Sequence, residues 1–190
     1  MKFYYNDITL DVPDGIYFPA EDSELLAGVI ETRDMKGKKV LDMGTGSGFL
    51  AILMAKNMAA VTAADFDIKC AKNNAEKNNT GVKFVRSDMF EKINGIYDLV
   101  VFNPPYLPAE RNAVYMDLDG GETGRDVIER FAAGAKAHME RNGEILIVFS
   151  SITGENGVRK IFRNNGFKTR ICKRGKIDWE ELIVMKAEIL

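Results

Sequence analysis

Asn103-Pro104-Pro105-Tyr106 sets a primary amide beside an aromatic ring, at the end of the apolar run Asp98–Phe102. A carboxamide offers both an acceptor and donors. Next to a flat ring it suits a planar group that carries NH₂. The two prolines fix their own φ angles and bring no backbone N–H donors. Asn103 precedes a proline and is pushed to extended geometry. The expected result is a stiff turn at the carboxyl end of a strand, the edge at which open α/β sheets bind ligands. The same four residues would also serve as an ordinary strand stop, and the rest of the chain has to decide between the two.

Three acids bear on that decision: Asp42, Asp65 and Asp88 each close an apolar stretch that reads as a strand. Asp42 opens the pattern D-x-G-x-G-x-G, with glycines at Gly44, Gly46 and Gly48. A dinucleotide fingerprint, G-x-G-x-x-G, would need its third glycine where Phe49 stands. A carboxylate in this turn repels a pyrophosphate and attracts an ammonium group. Asp65 lies 21 residues after Gly44, the spacing at which a second strand brings an acid to a ribose hydroxyl. A cofactor with a ribose, a cationic amine and no phosphate is expected. S-adenosylmethionine fits, and NAD, FAD and ATP fit worse. On this reading Asp42 faces the methionine end and Asp65 holds the ribose. Asp88 accepts from the adenine amino group, and the Met89 N–H pairs with a ring nitrogen. Each acid alone could be a helix cap or an exposed strand end; their recurrence at three successive strand ends favours a site.

The elements that would position these groups alternate. Residues 2–12 suggest a small hairpin around Asn6-Asp7. A helix follows, with Asp22 or Ser23 as N-cap candidates and Leu25, Leu26, Val29 and Ile30 on its apolar face. Strands are expected near 40–43, 60–64, 82–86, 98–102 and 144–149. Helices are expected after the glycine turn, over about 67–78, around Val127–Ala135 and over 155–165. Such alternation predicts an α/β sandwich with a largely parallel sheet. Two last strands, near 167–172 and 181–186, have no room for a helix between them and should pair antiparallel.

Composition narrows the classes. The chain has 190 residues, 46% hydrophobic and 28% charged, in keeping with one domain over 1–190 in which residues 1–16 form an N-terminal hairpin extension. No apolar run reaches membrane-spanning length and the first residues hold no signal core. Cys70 and Cys172 form no CxxC pair and there is a single histidine, so no structural zinc site is expected, and two isolated thiols fit a cytoplasmic protein. The net charge of −2 does not suggest a general nucleic-acid binder. Eight basic residues and no acidic ones fall between Arg159 and Lys176, a run that reads as a solvated face, with an RNA contact as the alternative.

The chain also resembles a known family. Tyr17-Phe18-Pro19-Ala20-Glu21-Asp22-Ser23, Leu41 to Gly48, Val101 to Tyr106 and Gly120-Gly121-Glu122-Thr123-Gly124-Arg125 together resemble the Rossmann-like class I S-adenosylmethionine-dependent methyltransferases. Within them they resemble the HemK family, in its short archaeal and eukaryotic form. The resemblance implies a three-layer αβα sandwich whose mostly parallel seven-stranded sheet ends in an antiparallel hairpin. It implies methylation of a glutamine side-chain amide in the Gly-Gly-Gln loop of a peptide chain release factor. Asn103 and the Pro104 carbonyl would accept the two amide hydrogens, Tyr106 would pack on the amide plane, and Glu21 and Ser23 would lie beside the cofactor. A small zinc-binding activator of the Trm-one-twelve type would add a strand beside residues 82–86. The same turn occurs in enzymes that methylate exocyclic amines of RNA or DNA bases, which keeps that substrate class open.

Overall fold

The computed structural model describes residues 1–107 and 124–190; most of the stretch 107–119, which the sequence suggests shapes substrate choice, and residues 120–123 of the Gly-Gly-Glu-Thr-Gly-Arg segment lie outside the described residues. The chain opens with β1 (Lys2–Tyr5) and β2 (Ile8–Asp11), paired antiparallel as a two-stranded sheet. Then come α1 (Glu21–Ile30), β3 (Lys39–Met43), α2 (Phe49–Lys56), β4 (Ala60–Asp65), α3 (Lys69–Lys77), β5 (Lys83–Arg86) and β6 (Tyr97–Phe102). After the undescribed stretch follow α4 (Asp126–Ala135), a single 3₁₀ turn, β7 (Met139–Ser150), α5 (Glu155–Asn164), β8 (Phe167–Ile177) and β9 (Glu180–Ile189). Seven strands form one sheet in the order β5-β4-β3-β6-β7-β9-β8. The first five run parallel, and β9 lies antiparallel between β7 and β8. The Rossmann-like α/β class with a closing antiparallel hairpin is what the sequence predicts.

Side-chain alternation makes the two cores. Leu99 and Val101 of β6 pack with α1 and α2, whereas Val100 and Phe102 pack with α4 and α5. β7 repeats the split, Leu146 and Val148 against Ile145, Ile147 and Phe149. On the second face a line of rings connects elements distant in sequence. Phe102 meets Phe131 at 4.6 Å, Phe131 meets Phe162 at 6.4 Å, and Phe162 meets Phe167 edge-on at 5.8 Å. Pairs of this kind contribute about 0.5–1.5 kcal/mol beyond burial, and these join β6, α4, α5 and β8. His138 belongs to the same framework: its ring stacks on Phe90 at 4.9 Å and its Nδ1 faces the Gly95 carbonyl.

The closing strands run longer than expected, Phe167–Ile177 and Glu180–Ile189, and two further boundaries differ for reasons visible in the structure. α1 begins at Glu21 with Ala20 as its N-cap and no capping side chain, because the Asp22 and Ser23 side chains turn inward to other partners. β7 starts at Met139, since Tyr97 pairs with Met139 while Leu99 already pairs with Glu144, and the intervening Glu-Arg-Asn-Gly is accommodated as a bulge.

The N-terminal hairpin is laced to α3 by two asparagines. Asn78 Oδ1 accepts from the Thr9 N–H and its Nδ2 donates to the Thr9 carbonyl. Asn74, 2% exposed, does the same for Asp11, and its Nδ2 also donates to the Ser47 carbonyl at 2.8 Å. One buried amide therefore holds both the hairpin and the glycine turn. Asn74→Ala should orphan the Asp11 N–H and two carbonyls and destabilise the protein by about 2–4 kcal/mol. Thermal melting would show that as a drop of roughly 5–12 °C.

Candidate functional site

A cavity of about 510 Å³ opens at the carboxyl ends of β3, β4 and β6. Asp42, Gly44, Gly46, Asp65, Met89 and the whole of Asn103–Tyr106 line it, and so does Ser23 from α1. Three predicted residues stand elsewhere. Gly48 sits behind the wall, where its φ of +88° and a would-be Cβ 3.0 Å from the Ala71 Cα exclude a side chain. Glu21 is exposed and faces an outer groove with Tyr4 and Phe18. Asp88 lies outside the lining, and both its oxygens accept from Arg130 Nη2 at 2.8 Å. Arg130 itself lines the cavity, so a base lodged here meets that ion pair rather than a carboxylate alone.

The glycine turn is held by the two acids flanking it. Asp65 Oδ2 accepts from the Gly46 N–H and Oδ1 from the Phe66 N–H, both at 2.7 Å. Asp42 is 1% exposed and accepts from the Thr45 hydroxyl at 2.7 Å. Burial pushes its carboxyl up to about 7, and the Asp65 charge adds to the rise against the opposing hydrogen bond from Thr45. Such a carboxylate is electrostatically incomplete, and a cation is what completes it. At Gly46 nothing among the described residues lies within 4 Å of a would-be Cβ. Phe66, 60% exposed, contributes a ring to the wall. Met89 holds a left-handed backbone, φ +44°, at the far end of the cavity. Such a conformation costs a non-glycine residue energy and recurs at ligand sites.

The Asn103 turn is tied to α1. Asn103 Nδ2 donates to Asp22 Oδ2 at 3.2 Å and to Ser23 Oγ at 3.1 Å. Its Oδ1 is buried and has no hydrogen-bond partner among the described residues. Asp22, 4% exposed, also accepts from Tyr17 Oη at 2.6 Å, Tyr106 Oη at 2.9 Å and the Ser23 N–H at 2.5 Å. Burial first, and then the Asp22 charge, push both phenols well above their ordinary range, so they stay protonated as donors. The Tyr106 carbonyl accepts from Thr153 Oγ1 at 2.7 Å, and the Thr153 carbonyl accepts from Arg125 at 2.8 Å. The turn is thus fixed from the α1 side and from the β7–α5 connection. Sequence reasoning gave Asp22 a role only as a cap candidate and, though Tyr17 and Asp22 stand in a segment that carries the family resemblance, assigned no role to Tyr17, Phe66, Thr153 or Arg130. The one available signal was the density of polar residues in Tyr17–Ser23 beside so short a helix start.

Asp42 and Asp65 line the cavity, whereas Asp88 stands outside its lining, paired with Arg130. Asp65→Ala should release Gly46 and, on the sequence reading, remove an acceptor for the ribose. The affinity for S-adenosylmethionine should fall about 10–100-fold by calorimetry, the scale of losing a charged hydrogen-bond partner. An unchanged affinity would remove Asp65 from the site.

Comparison with known proteins places this geometry. The methyltransferase small domain profile matches residues 20–173. A protein of Methanocaldococcus jannaschii, named as a candidate protein N5-glutamine methyltransferase, is 38% identical over 189 residues, 95% of each chain. The release factor glutamine methyltransferase of Streptococcus pneumoniae is 31% identical over 172 residues, which cover 82% of this chain and 61% of that longer one. Among solved structures, the E. cuniculi Mtq2–Trm112 complex, described as responsible for methylating the translation termination factor eRF1, superposes with a TM-score of 0.77. That match is 29% identical and covers 93% of this chain and 99% of the other. A 16S rRNA guanine N2 methyltransferase of T. Thermophilus, 20% identical with a TM-score of 0.76, shares the fold over 96% of this chain and 47% of its own. The profile and the archaeal relative both run through the glycine turn and the Asn103 turn alike, and the chain belongs to the methyltransferase small domain family, in its HemK-type branch.

Proposed function

We propose that this protein transfers a methyl group from S-adenosylmethionine to the side-chain amide nitrogen of a glutamine in a polypeptide chain release factor. One observation carries the reading: Asn103 lines the cavity with its own NH₂ committed to Asp22 and Ser23, and its buried Oδ1 is left without a hydrogen-bond partner among the described residues. A site built this way asks for an N–H donor. The named activities of the archaeal and streptococcal relatives supply the kind of donor, a glutamine amide.

The cofactor is S-adenosylmethionine, and the residues present fit it. Asp42, a buried carboxylate with no cation beside it among the described residues, would take its ammonium group; Asp65 would take the ribose; and Phe66 and Met89 would border the base. The pair of acids beside the glycine turn disfavours a phosphate-bearing alternative. When bound, the cofactor supplies a methyl group made electrophilic by the sulfonium.

An amide nitrogen is a weak nucleophile because its lone pair is delocalised into the carbonyl, so orientation has to do much of the work. Asn103 Oδ1 accepts one amide hydrogen and the Pro104 carbonyl, on the same wall, accepts the other. Both acceptors favour the positive charge that grows on nitrogen as the new N–C bond forms. Prolines at 104 and 105 leave no competing donor on that wall. The Tyr106 ring flanks the amide plane. The proton shed by the methylated nitrogen passes to water at the cavity mouth, since the Asp22 oxygens are already engaged by four donors.

The test is transfer of a labelled methyl group from S-adenosylmethionine to a release factor, to its variant lacking the glutamine, and to tRNA, rRNA and DNA. Label on the intact release factor alone is expected. Label on nucleic acid would move the substrate to a base amine, and Arg159, Lys168 and Arg174 of the basic stretch, paired to Glu155, Glu188 and Glu181, argue against that surface being set aside for RNA.

A zinc-binding partner of the Trm112 type is part of the same reading. Among the described residues β5 is an edge strand, hydrogen-bonded to β4 alone, with Phe84 and Val85 half-buried. It is open to an added strand. The Mtq2 structure is a complex with Trm112. Copurification on mixing, or a raised melting temperature, is the expected sign of association. Among the described residues no helix is long and apolar enough to cross a membrane.

A further inference from the structure

We propose that Asp22 is a positioning residue that decides which atom of Asn103 meets the substrate. The inference rests on the functional reading above and adds a role for a residue that acts through Asn103. A carboxamide is nearly symmetric in shape, and rotating it by a half turn exchanges acceptor for donors. At Asn103 that exchange would convert a wall that receives NH₂ groups into one that repels them. The prolines that follow fix the backbone of the turn and leave the amide's rotation free. Something else must fix it.

Asp22 does so by polarity. An ionised carboxylate only accepts, so the atom of Asn103 that faces Asp22 Oδ2 at 3.2 Å has to be the nitrogen. Tyr106 Oη donates to that same oxygen. The other oxygen, Oδ1, is committed to Tyr17 Oη and to the Ser23 N–H. A hydroxyl can reverse its role, as Ser23 Oγ or either phenol could, but a backbone N–H cannot. The Ser23 N–H therefore demands an oxygen at the Oδ1 position whatever occupies residue 22. Asn103 Oδ1 is left pointing away, buried and unpartnered.

The consequence for substitution is specific. In Asp22→Asn the Ser23 N–H keeps the oxygen at the Oδ1 position and puts the new NH₂ at the Oδ2 position. Two NH₂ groups would then face one another across the contact, and Asn103 rotates to offer its oxygen to the introduced amide. Donors now face the cavity. Turnover on the release factor should fall about 10–100-fold, as for a buried acceptor replaced by a mismatched donor. Affinity for S-adenosylmethionine should change less than about twofold, and the melt should stay cooperative.

The reciprocal double variant, Asp22→Asn with Asn103→Asp, separates this from a merely structural role. The amide at position 22 donates to one oxygen of the carboxylate now at position 103, and the other oxygen faces the cavity as an acceptor. Net charge equals that of the wild type. At least tenfold recovery of turnover over the single variant is expected. A single variant with turnover within twofold of wild type, or a double variant no better than the single, overturns the proposal. Should the variants fold poorly, wild-type protein labelled with ¹⁵N-asparagine answers the same question. The Asn103 side-chain protons should resist exchange with solvent and should not shift when a Gly-Gly-Gln peptide binds. Rapid exchange, or a large shift, counts against the lock. Absence of any methyl transfer to the release factor by the wild type defeats the substrate reading instead and leaves the Asp22 assignment to the ¹⁵N measurement.

Discussion

Asn103→Ala is expected to cut turnover by about 10²–10³-fold, the cost of deleting one preorganised transition-state partner, with S-adenosylmethionine affinity nearly unchanged. The two effects part because of where the amide sits. It belongs to the stretch Asn103–Tyr106 at the end of β6, whereas the glycine turn and the acids Asp42 and Asp65 come from the ends of β3 and β4. Alanine leaves that second group untouched. It also leaves Asp22 with the phenols of Tyr17 and Tyr106 and the Ser23 N–H as donors, so the carboxylate remains satisfied and the turn remains held through Thr153. Single-turnover kinetics at saturating cofactor would isolate the chemical step, and calorimetry would report cofactor binding. A variant that turns over at the wild-type rate would show that the acceptor plays no part in the transition state.

Asp42→Asn should act in two opposite directions. Cofactor affinity is expected to fall about 10²–10³-fold, because the ammonium would lose its buried counter-charge. The cofactor-free protein, however, should become more stable. In the folded state the Asp42 carboxyl titrates near 7, above its ordinary value of 3.8, chiefly because it is desolvated. A raised carboxyl pKa means that the folded protein holds a proton that the unfolded chain has released. The contribution of this group to stability is therefore greatest below about pH 4, declines as pH rises through roughly 4 to 7, and is flat above. Asparagine keeps an acceptor for Thr45 and removes this decline. A melting temperature roughly 5–10 °C above that of the wild type is expected at about pH 8, shrinking toward zero near pH 4. For the same reason, cofactor affinity of the wild type should rise as pH increases toward about 7 and Asp42 ionises, and the variant should lack that dependence. Equal melting temperatures at that alkaline pH would show that Asp42 carries no desolvation cost.

Much of the fold was legible because it depends on local pattern. The apolar runs at 40–43 and 98–102 could only be strands buried on both faces, and Gly44-Thr45-Gly46-Ser47-Gly48 had to be a turn. The closing hairpin followed from the short distance between its strands. The site was legible where one element supplies the chemistry and illegible where two meet. Asn103 could be read from its own turn. Asp22, 81 residues earlier, could not be seen as its partner, since nothing in a chain records which helix end will lie over which strand end. Asp88 shows the opposite limit. Its position at a strand end was readable, but the guanidinium that occupies it comes from Arg130, on a helix 42 residues later. Glu21 stands in the same dense segment as Asp22 and Ser23, and the rotation of the first turn of α1 alone puts it outside while its neighbours point in. Bulges defeat pattern reading too: Glu140 to Gly143 resemble a plain turn and in fact extend β7.

The Asn103–Pro104 bond also governs how the protein ages. Asparagine deamidates when the backbone nitrogen of the following residue attacks the side-chain carbonyl carbon and closes a succinimide ring. Proline's nitrogen bears no hydrogen and cannot follow that course. The amide on which the proposed chemistry depends is thereby shielded from turning into aspartate, a change that would place a second carboxylate beside Asp22. Asn94 has no such protection: it is exposed and precedes Gly95, whose small, accessible nitrogen is the favoured attacker. Asn142-Gly143, Asn156-Gly157 and Asn165-Gly166 share that chemistry, but the first two are held in β7 and α5 and the third at the end of α5, so spontaneous damage in stored protein is expected first on the loop before β6, sparing the amide at the end of that strand.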